Sequence, residues 1–197
     1  MTSVKSAESL GSAAQQDRRR RILDATIALA SEGGFDAVQM REVADRADVA
    51  LGTLYRYFPS KIHLLVSALA GRFEAADAAL RGRAVTGDDE AERVIGVLRR
   101  VTRGLQGDEK LTEALTRAFM FADSSVQTEI DRVGMLLTTM LTRAMRPEAD
   151  EVTAEDVQVA RVIGDVWLSS LMTWVTGRSS AKETADHMEY AVRLILR

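Results

Sequence analysis

The sequence contains no cysteine and only two prolines among its 197 residues. The absence of cysteine excludes disulfides, thiolate metal sites and a cysteine nucleophile, and it fits a reducing compartment such as the cytoplasm. Apolar runs long enough to span a bilayer are also missing, and the first 21 residues lack the apolar core of a secretory signal peptide. We therefore expect a cytoplasmic protein that makes no contact with a membrane.

The sequence also lacks the motifs of common enzyme sites. Its two histidines, His63 and His187, are far apart, and neither has metal-ligand spacing around it. There is no glycine-rich phosphate loop and no His-Glu-x-x-His motif. We expect no catalytic residue, no metal site and no cofactor. A helical enzyme that uses buried carboxylates alone stays open as an enzymatic alternative.

Charge is distributed unevenly along the chain. The net charge of -3 does not favour a uniformly basic nucleic-acid binder. However, residues 1–62 hold nine lysines and arginines against eight acidic residues, whereas residues 63–197 hold seventeen against twenty-one. The basic excess is therefore near the N-terminus, where Arg18 to Arg21 form a run of four. This run is either part of a basic surface or a solvated, disordered segment.

Hydrophobic residues recur every three to four positions throughout, and strand-like alternation is absent, so the predicted fold class is all-α with about nine helices. The first four helices are expected at about residues 17–33, 39–47, 50–58 and 61–80, and the last two at about 154–176 and from 181 onward. A glycine pair, Gly33-Gly34, is expected to end the first helix. The predicted N-terminal caps are Ser60, Asp108, Thr153 with Asp156, and Ser180 with Glu183.

The stretch ALGTLYRYFPSK, residues 50–61, holds three of the ten aromatic residues of the chain. Three short helices over residues 17–58, with a turn at Asp48-Val49, have the proportions of a helix-turn-helix unit, whose last helix enters the DNA major groove. Leu54 and Phe58 are one turn apart and are expected to face the core. The other side chains of this stretch are then available to DNA.

The candidate DNA contacts combine groups that reach bases with groups that reach phosphates. Thr53 can hydrogen-bond a base or a phosphate, Leu51 can touch a thymine methyl group, and an arginine can pair with guanine. Tyrosine hydroxyls and the lysine beside the N-terminus of the fourth helix are suited to phosphates. The full set is Arg41, Leu51, Gly52, Thr53, Tyr55, Tyr57 and Lys61.

Residues 38–65, VQMREVADRADVALGTLYRYFPSKIHLL, resemble the signature of the TetR family of one-component transcriptional repressors. The resemblance implies an all-α homodimer with an N-terminal DNA-binding domain and a C-terminal effector domain, and it places the seven candidate contacts on the DNA-contact positions of the family. Asp48, Ala50 and Leu51 depart from the common glycine, the capping serine and the polar contact residue of the family. Aspartate tolerates a left-handed turn, so we expect the fold to be kept.

The expected domains follow from this resemblance. They are a disordered N-terminal arm over residues 1–16, a helix-turn-helix domain over residues 17–62, and an effector-binding and dimerisation domain over residues 63–197. We expect a homodimer through the last two helices, because the eighth helix is apolar on more than one face and the ninth carries an apolar stripe. The expected DNA partner is a double-stranded, inverted-repeat operator.

Two further segments narrow the resemblance. LTEALTRAFMFADSSV, residues 111–126, and ARVIGDVWLSSLMTWVTGRSSA, residues 160–181, resemble the effector domain of the TetR-family members that repress bacterial cholesterol catabolism. This resemblance implies a steroid effector, as a steroid-acyl coenzyme A thioester. From the residues alone, Arg117 or Arg161 can meet a phosphate or a carboxylate. The candidate effector contacts are Leu69, Phe73, Arg117, Phe119, Met120, Trp167, Leu171 and Trp174.

Three other interpretations remain at this stage. The candidate effector contacts also fit an ordinary core that contains methionine and aromatic residues. A TetR-family regulator of fatty-acid metabolism or drug efflux would bind a different apolar effector. A helical protein-interaction module would explain the last two helices but not Tyr55, Tyr57 and Lys61.

Overall fold

A computed structural model describes residues 2–81, 86–148 and 151–197 of the chain. Within these ranges it contains nine α-helices, one short 3-10 helix at Ser124–Val126 and no strand, which confirms the predicted all-α class. The α-helices are α1 (Thr2–Ala37), α2 (Met40–Arg46), α3 (Leu51–Tyr57), α4 (Lys61–Arg81), α5 (Glu90–Gln106), α6 (Glu109–Met120), α7 (Gln127–Met145), α8 (Ala154–Val175) and α9 (Ala181–Ile195). None of them has an apolar stretch long enough to cross a membrane.

The first helix is longer than the sequence predicted. Since α1 begins at Thr2, the expected start of the first helix near Asp17 is wrong. Residues 2–16 contain no proline, and their three alanines, two glutamines, single glutamate, lysine and leucine are good helix formers.

The glycine pair interrupts α1 as predicted. Gly33 and Gly34 have non-helical backbone angles, and Gly34 has φ 69° and ψ -160°, a region that only glycine adopts without strain. The kink redirects the chain toward α2. A Cβ atom added to Gly34 would lie 3.1 Å from Oε2 of Glu113 on α6, so the space beside the kink is also limited.

Replacing Gly34 with alanine is expected to lower the free energy of unfolding by about 1–3 kcal/mol, because of the strained backbone angles. Urea unfolding followed by circular dichroism measures this change. Gly104→Ala is the matched control: Gly104 lies inside α5 with no atom within 4 Å of an added Cβ, so alanine there is expected to stabilise the helix by about 1 kcal/mol. Equal stability of the two variants would contradict this account of the kink.

The turn between α2 and α3 is held by backbone and side-chain hydrogen bonds. Asp48 has φ 51°, the left-handed conformation expected for this turn. The N–H of Val49 donates to the carbonyl of Ala44 at 3.0 Å. From α1, Arg21 donates to the carbonyl of Ala47 at 2.7 Å and so satisfies the end of α2.

The arginine run at the N-terminus is ordered by contacts within the fold. Arg20 pairs with Asp17 at 2.6 Å, and Arg21 approaches the same carboxylate at 3.3 Å. The guanidinium of Arg19 lies 5.5 Å from the ring centroid of Phe58. Arg19 and Arg21 therefore connect α1 to the helix-turn-helix unit, Arg20 pairs within α1, and the interpretation as a disordered segment is wrong.

The predicted caps are confirmed. Each cap side chain accepts a hydrogen bond from a backbone N–H in the first turn of its helix and so satisfies a group that has no partner within the helix. The pairs are Ser60 with His63, Asp108 with Leu111, Thr153 with Asp156, and Ser180 with Glu183. In the last two, the acidic side chain also accepts from the N–H of the cap residue, which completes a capping box.

Helix α4 runs from the helix-turn-helix unit into the larger helical layer, where it packs on α6 and α7. Its buried residue Asp77 accepts hydrogen bonds from Arg81 at 2.8 Å and from Arg143 of α7 at 3.0 Å. Burial alone would raise the pKa of this carboxyl, but the two arginines outweigh it and hold the pKa below its ordinary value. His63 and Glu129 form a second α4–α7 pair, with Nε2 and Oε1 2.8 Å apart. These pairs attach α4 to α7 along most of its length.

Candidate DNA-binding surface and effector cavity

Helix α3 is anchored by its buried side. Leu54 and Phe58 are 0% and 1% exposed, as the spacing predicted. Ala50 precedes α3 with an extended backbone, and its carbonyl accepts from the N–H groups of Thr53 and Leu54 at 2.8 and 3.0 Å. No side chain caps this end, which agrees with the absence of a capping serine. The short helix is therefore held by packing rather than by its own cap.

The outward side of α3 carries most of the candidate DNA contacts. Gly52 and Tyr55 are exposed, and Leu51, Thr53 and Tyr57 are half-buried. A Cβ atom at Gly52 would meet nothing within 4 Å, so the backbone there is open to close approach. Tyr57 also packs partly against the core. The structure thus places five of the seven candidates on one short helix.

The other two candidates lie on neighbouring helices. Arg41, in the first turn of α2, is exposed. Lys61 begins α4, and its Nζ lies 3.9 Å from the ring centroid of Phe35. Burial lowers the pKa of Lys61 below its ordinary value, and the nearby Arg117 acts in the same direction. Lys61 is therefore in close contact with the end of α1.

A cavity of about 590 Å³ lies in the larger helical layer. It is bounded by α4, α5, α6, α7 and α8, and most of its walls are apolar. Five of the eight candidate effector residues line it: Leu69, Phe73, Phe119, Trp167 and Leu171. Pockets of a few hundred cubic ångströms with apolar walls and few polar groups are typical of small-molecule sites.

The aromatic wall of the cavity is held in a defined orientation. Trp167 donates its Nε1–H to Oγ1 of Thr102 on α5 at 2.8 Å. Its ring meets Phe73 edge to face, with centroids 6.0 Å apart and an interplanar angle of 74°. Both contacts restrain the indole, so the cavity presents a preformed flat surface.

One part of the cavity lining is polar. Gln127, Asp131, Arg161 and Asp165 contribute to it, and all four are exposed to solvent. An amphipathic ligand is suited to this arrangement, since its apolar part can lie against the walls and its polar part beside these residues. Of the two arginines considered for a ligand phosphate or carboxylate, the structure places Arg161 at the cavity.

Three candidate effector residues lie outside the lining. Arg117 lies on a different side of α6, where its guanidinium carbon is 4.4 Å from the ring centroid of Phe35. Met120 is 50% exposed at the end of α6, and Trp174 is half-buried near the end of α8. The sequence analysis missed these lining residues: Leu105, Thr116, Ile130, Val133, Leu137 and Leu168. Their periodicity indicates burial but not a cavity wall.

Among the residues that the structure describes, no three histidine, aspartate or glutamate side chains lie close enough together to hold a metal ion.

The molecule combines a helix-turn-helix unit with an exposed recognition helix and a separate helical layer that contains an apolar cavity. That combination is typical of a ligand-responsive DNA-binding regulator.

Comparison with known families agrees with this class. Residues 22–68 match the model described as bacterial regulatory proteins of the tetR family. Residues 87–195 match the model described as the tetracyclin repressor-like C-terminal domain. The chain belongs to the TetR family of transcriptional regulators, whose members bind DNA operators, dimerise and bind small effectors.

Three curated relatives are named as transcriptional repressors rather than as enzymes. The chain is 56% identical over 189 residues to the HTH-type transcriptional repressor KstR of Rhodococcus jostii. The aligned region covers 96% of this chain and 87% of that relative. A TetR transcriptional regulator from Rhodococcus sp. RHA1 superposes with a TM-score of 0.85 at 31% identity, over 92% of this chain and 97% of the other.

A second solved structure shares the fold at lower identity. Thermus thermophilus FadR, a TetR-family repressor in complex with lauroyl-CoA, superposes with a TM-score of 0.68 at 21% identity. The match covers 90% of this chain and 93% of that chain.

Proposed function

We propose that this protein represses genes of sterol catabolism by binding an inverted-repeat operator as a homodimer, and that a steroid-acyl coenzyme A thioester releases it. The cavity of about 590 Å³, with aromatic walls and a polar edge, is the observation that carries the effector part of the proposal. Identity of 56% to a KstR repressor over nearly the whole chain supports the same assignment.

The chemistry of the cavity fits the two parts of such a thioester. Fused steroid rings are rigid and apolar, so they are suited to the flat surfaces of Phe73 and Trp167. The coenzyme A part is polar and anionic, and it would leave the cavity beside Arg161, whose guanidinium pairs readily with phosphate. Lauroyl-CoA in the related FadR fold makes a fatty-acyl thioester the second candidate effector.

In this proposal residues 17–62 bind DNA and residues 63–197 bind the effector and the second protomer, with residues 1–16 as an N-terminal extension. Helix α4 belongs to both parts: it begins at Lys61 beside the DNA-binding surface, and it carries Leu69 and Phe73 into the cavity wall. A ligand that displaces these side chains would shift α4 as a body, because packed helices respond in discrete steps. The two recognition helices would then lose the spacing of about 34 Å that one DNA turn requires.

Substitutions at the DNA-binding surface are expected to have two distinct effects. Lys61→Ala and Tyr55→Phe should weaken binding to all DNA sequences, because they remove phosphate contacts. Arg41→Ala and Thr53→Ala should cost about 1–3 kcal/mol of binding free energy and also relax sequence preference, because they remove base contacts. Fluorescence anisotropy with the natural promoter and a scrambled duplex separates the two effects.

Lys182→Ala is the matched control for Lys61→Ala. It removes an exposed lysine of α9 whose ion pair is with Asp186 on the same helix, so operator binding should be unchanged. A Lys61→Ala, Thr53→Ala double variant that binds the natural promoter as tightly as the parent chain would show that the assignment of the DNA-binding surface is wrong.

A further inference from the structure

Phe35 lies directly after the glycine kink of α1 and is contacted from both α4 and α6. Nζ of Lys61 lies 3.9 Å from the ring centroid of Phe35, and the guanidinium carbon of Arg117 lies 4.4 Å from the same centroid. The backbone N–H of Phe35 donates to Oε2 of Glu113 at 3.1 Å. Nη1 of Arg117 lies 3.6 Å from carboxylate oxygens of both Asp36 and Glu113. We call these five residues the Phe35 junction.

Charge at the Phe35 junction is balanced. Two cations over one ring attract its π-electrons but repel each other, and two carboxylates lie beside them. Burial lowers the pKa of Lys61 and Arg117 lowers it further, whereas Asp36 and Glu113 raise it. The two carboxylates therefore offset the repulsion between the two cations, and removal of either carboxylate would leave a net positive charge at the Phe35 junction.

Helix α6 presents the Phe35 junction and the cavity on different sides. Glu113 and Arg117 are four residues apart and therefore share one side, which contacts the end of α1. Thr116 and Phe119 are three residues apart and line the cavity. The two groups overlap along one turn of the same helix. Movement of this turn would therefore displace side chains both at the Phe35 junction and in the cavity wall.

We infer that Glu113 and Arg117 are positioning residues that connect the effector cavity, through Phe35, to Lys61 and the α1–α2 connection of the DNA-binding unit. This inference rests on the proposed function and adds α6 to α4 as a route by which the effector acts. An effector that presses on Thr116 and Phe119 shifts α6 and withdraws the acceptor oxygen of Glu113 from Phe35. The end of α1 and Lys61 then lose their common contact and move relative to α3.

The test compares operator affinity with and without a steroid-acyl coenzyme A thioester, using the full chain and fluorescence anisotropy. In Glu113→Ala and in Phe35→Leu, the ratio of the two affinities is expected to fall at least about fivefold, the lower end of typical allosteric coupling. Binding of the thioester to the DNA-free variants, measured by calorimetry, should persist. Glu113→Gln keeps an acceptor oxygen for the N–H of Phe35 and should restore most of the ratio.

Operator affinity without effector gives a second readout. Loss of the hydrogen bond to the Glu113 carboxylate should weaken operator binding about tenfold, because the DNA-binding unit is no longer held in place. Glu109→Ala is the matched control, since Glu109 is an exposed glutamate at the start of the same helix. A purely structural role for Glu113 would lower the melting temperature but leave the affinity ratio at the parent value.

The outcomes separate the two proposals. If the parent chain does not respond to the thioester, the proposed effector is wrong. The operator affinities of the variants, measured without effector, then test the Phe35 junction independently of the effector. If Glu113→Ala and Phe35→Leu match Glu109→Ala in both readouts, the inference is overturned. Should Glu113→Ala fail to fold, Phe35→Leu carries the same test, because it keeps an apolar side chain and removes only the ring.

Discussion

A steroid-acyl coenzyme A thioester is expected to release this protein from its operator, with a loss of operator affinity of about 5- to 150-fold. The physical reason is differential binding: the thioester must bind the DNA-free form more tightly than the DNA-bound form. By linkage, operator DNA must weaken thioester binding by the same factor. Titration of the thioester against a labelled protein–operator complex measures the loss of operator affinity. Calorimetry of thioester binding with and without operator DNA measures the reciprocal factor.

The specificity of this release follows from the cavity. Coenzyme A alone lacks the apolar part that fills the walls, and a fatty-acyl chain covers the rigid surfaces of Phe73 and Trp167 less completely, so both should act poorly. Release by fatty-acyl thioesters but not by steroid thioesters would keep the repressor assignment and overturn the sterol assignment.

A substitution that fills the cavity should abolish the response without affecting DNA binding. Gly134 of α7 lines the cavity, and an added Cβ there meets nothing within 4 Å. Gly134→Leu should therefore occupy space that the effector needs. Gly104→Leu is the matched control, because Gly104 is an exposed helical glycine outside the cavity lining with the same open surroundings. If Gly134→Leu still responds to the thioester as the control does, the effector binds elsewhere.

Charged substitutions on α8 and α9 are expected to produce a monomer that binds the operator at least about 100-fold more weakly, since the avidity of two linked half-site contacts is lost. Exposed apolar side chains identify the surface: Val162 of α8 is 50% exposed, and Tyr190 and Leu194 of α9 are 65% and 48% exposed. Val162→Glu combined with Leu194→Glu would place unpaired charges inside an interface built from these helices.

Sedimentation at micromolar concentration measures the assembly state directly. Val152→Glu is the control: Val152 is also 50% exposed, but it precedes α8 and lies on neither helix. The control should stay dimeric and bind the operator normally. A monomeric mass for the parent chain at micromolar concentration would contradict the proposed dimer.

Local signals in the sequence determined where most helices begin and how the helix-turn-helix unit is built. The Ser180–Glu183 capping box involves residues three positions apart, so its geometry does not depend on the rest of the chain. Leu54 and Phe58 are one helical turn apart, and their burial follows from that spacing. The left-handed turn at Asp48 was likewise predictable, because aspartate tolerates that conformation.

Contacts between distant segments decided which side chains meet at the cavity. Arg117 and Arg161 were equivalent candidates in the sequence, since each is the single arginine of its helix. The packing of α6 against α1 turns Arg117 toward Phe35, whereas the position of α8 beside α7 leaves Arg161 at the cavity. Hydrophobic periodicity specifies which side of a helix is buried, but not whether that side meets a neighbouring helix or an open cavity. Only the tertiary arrangement of α4 to α8 supplies that information.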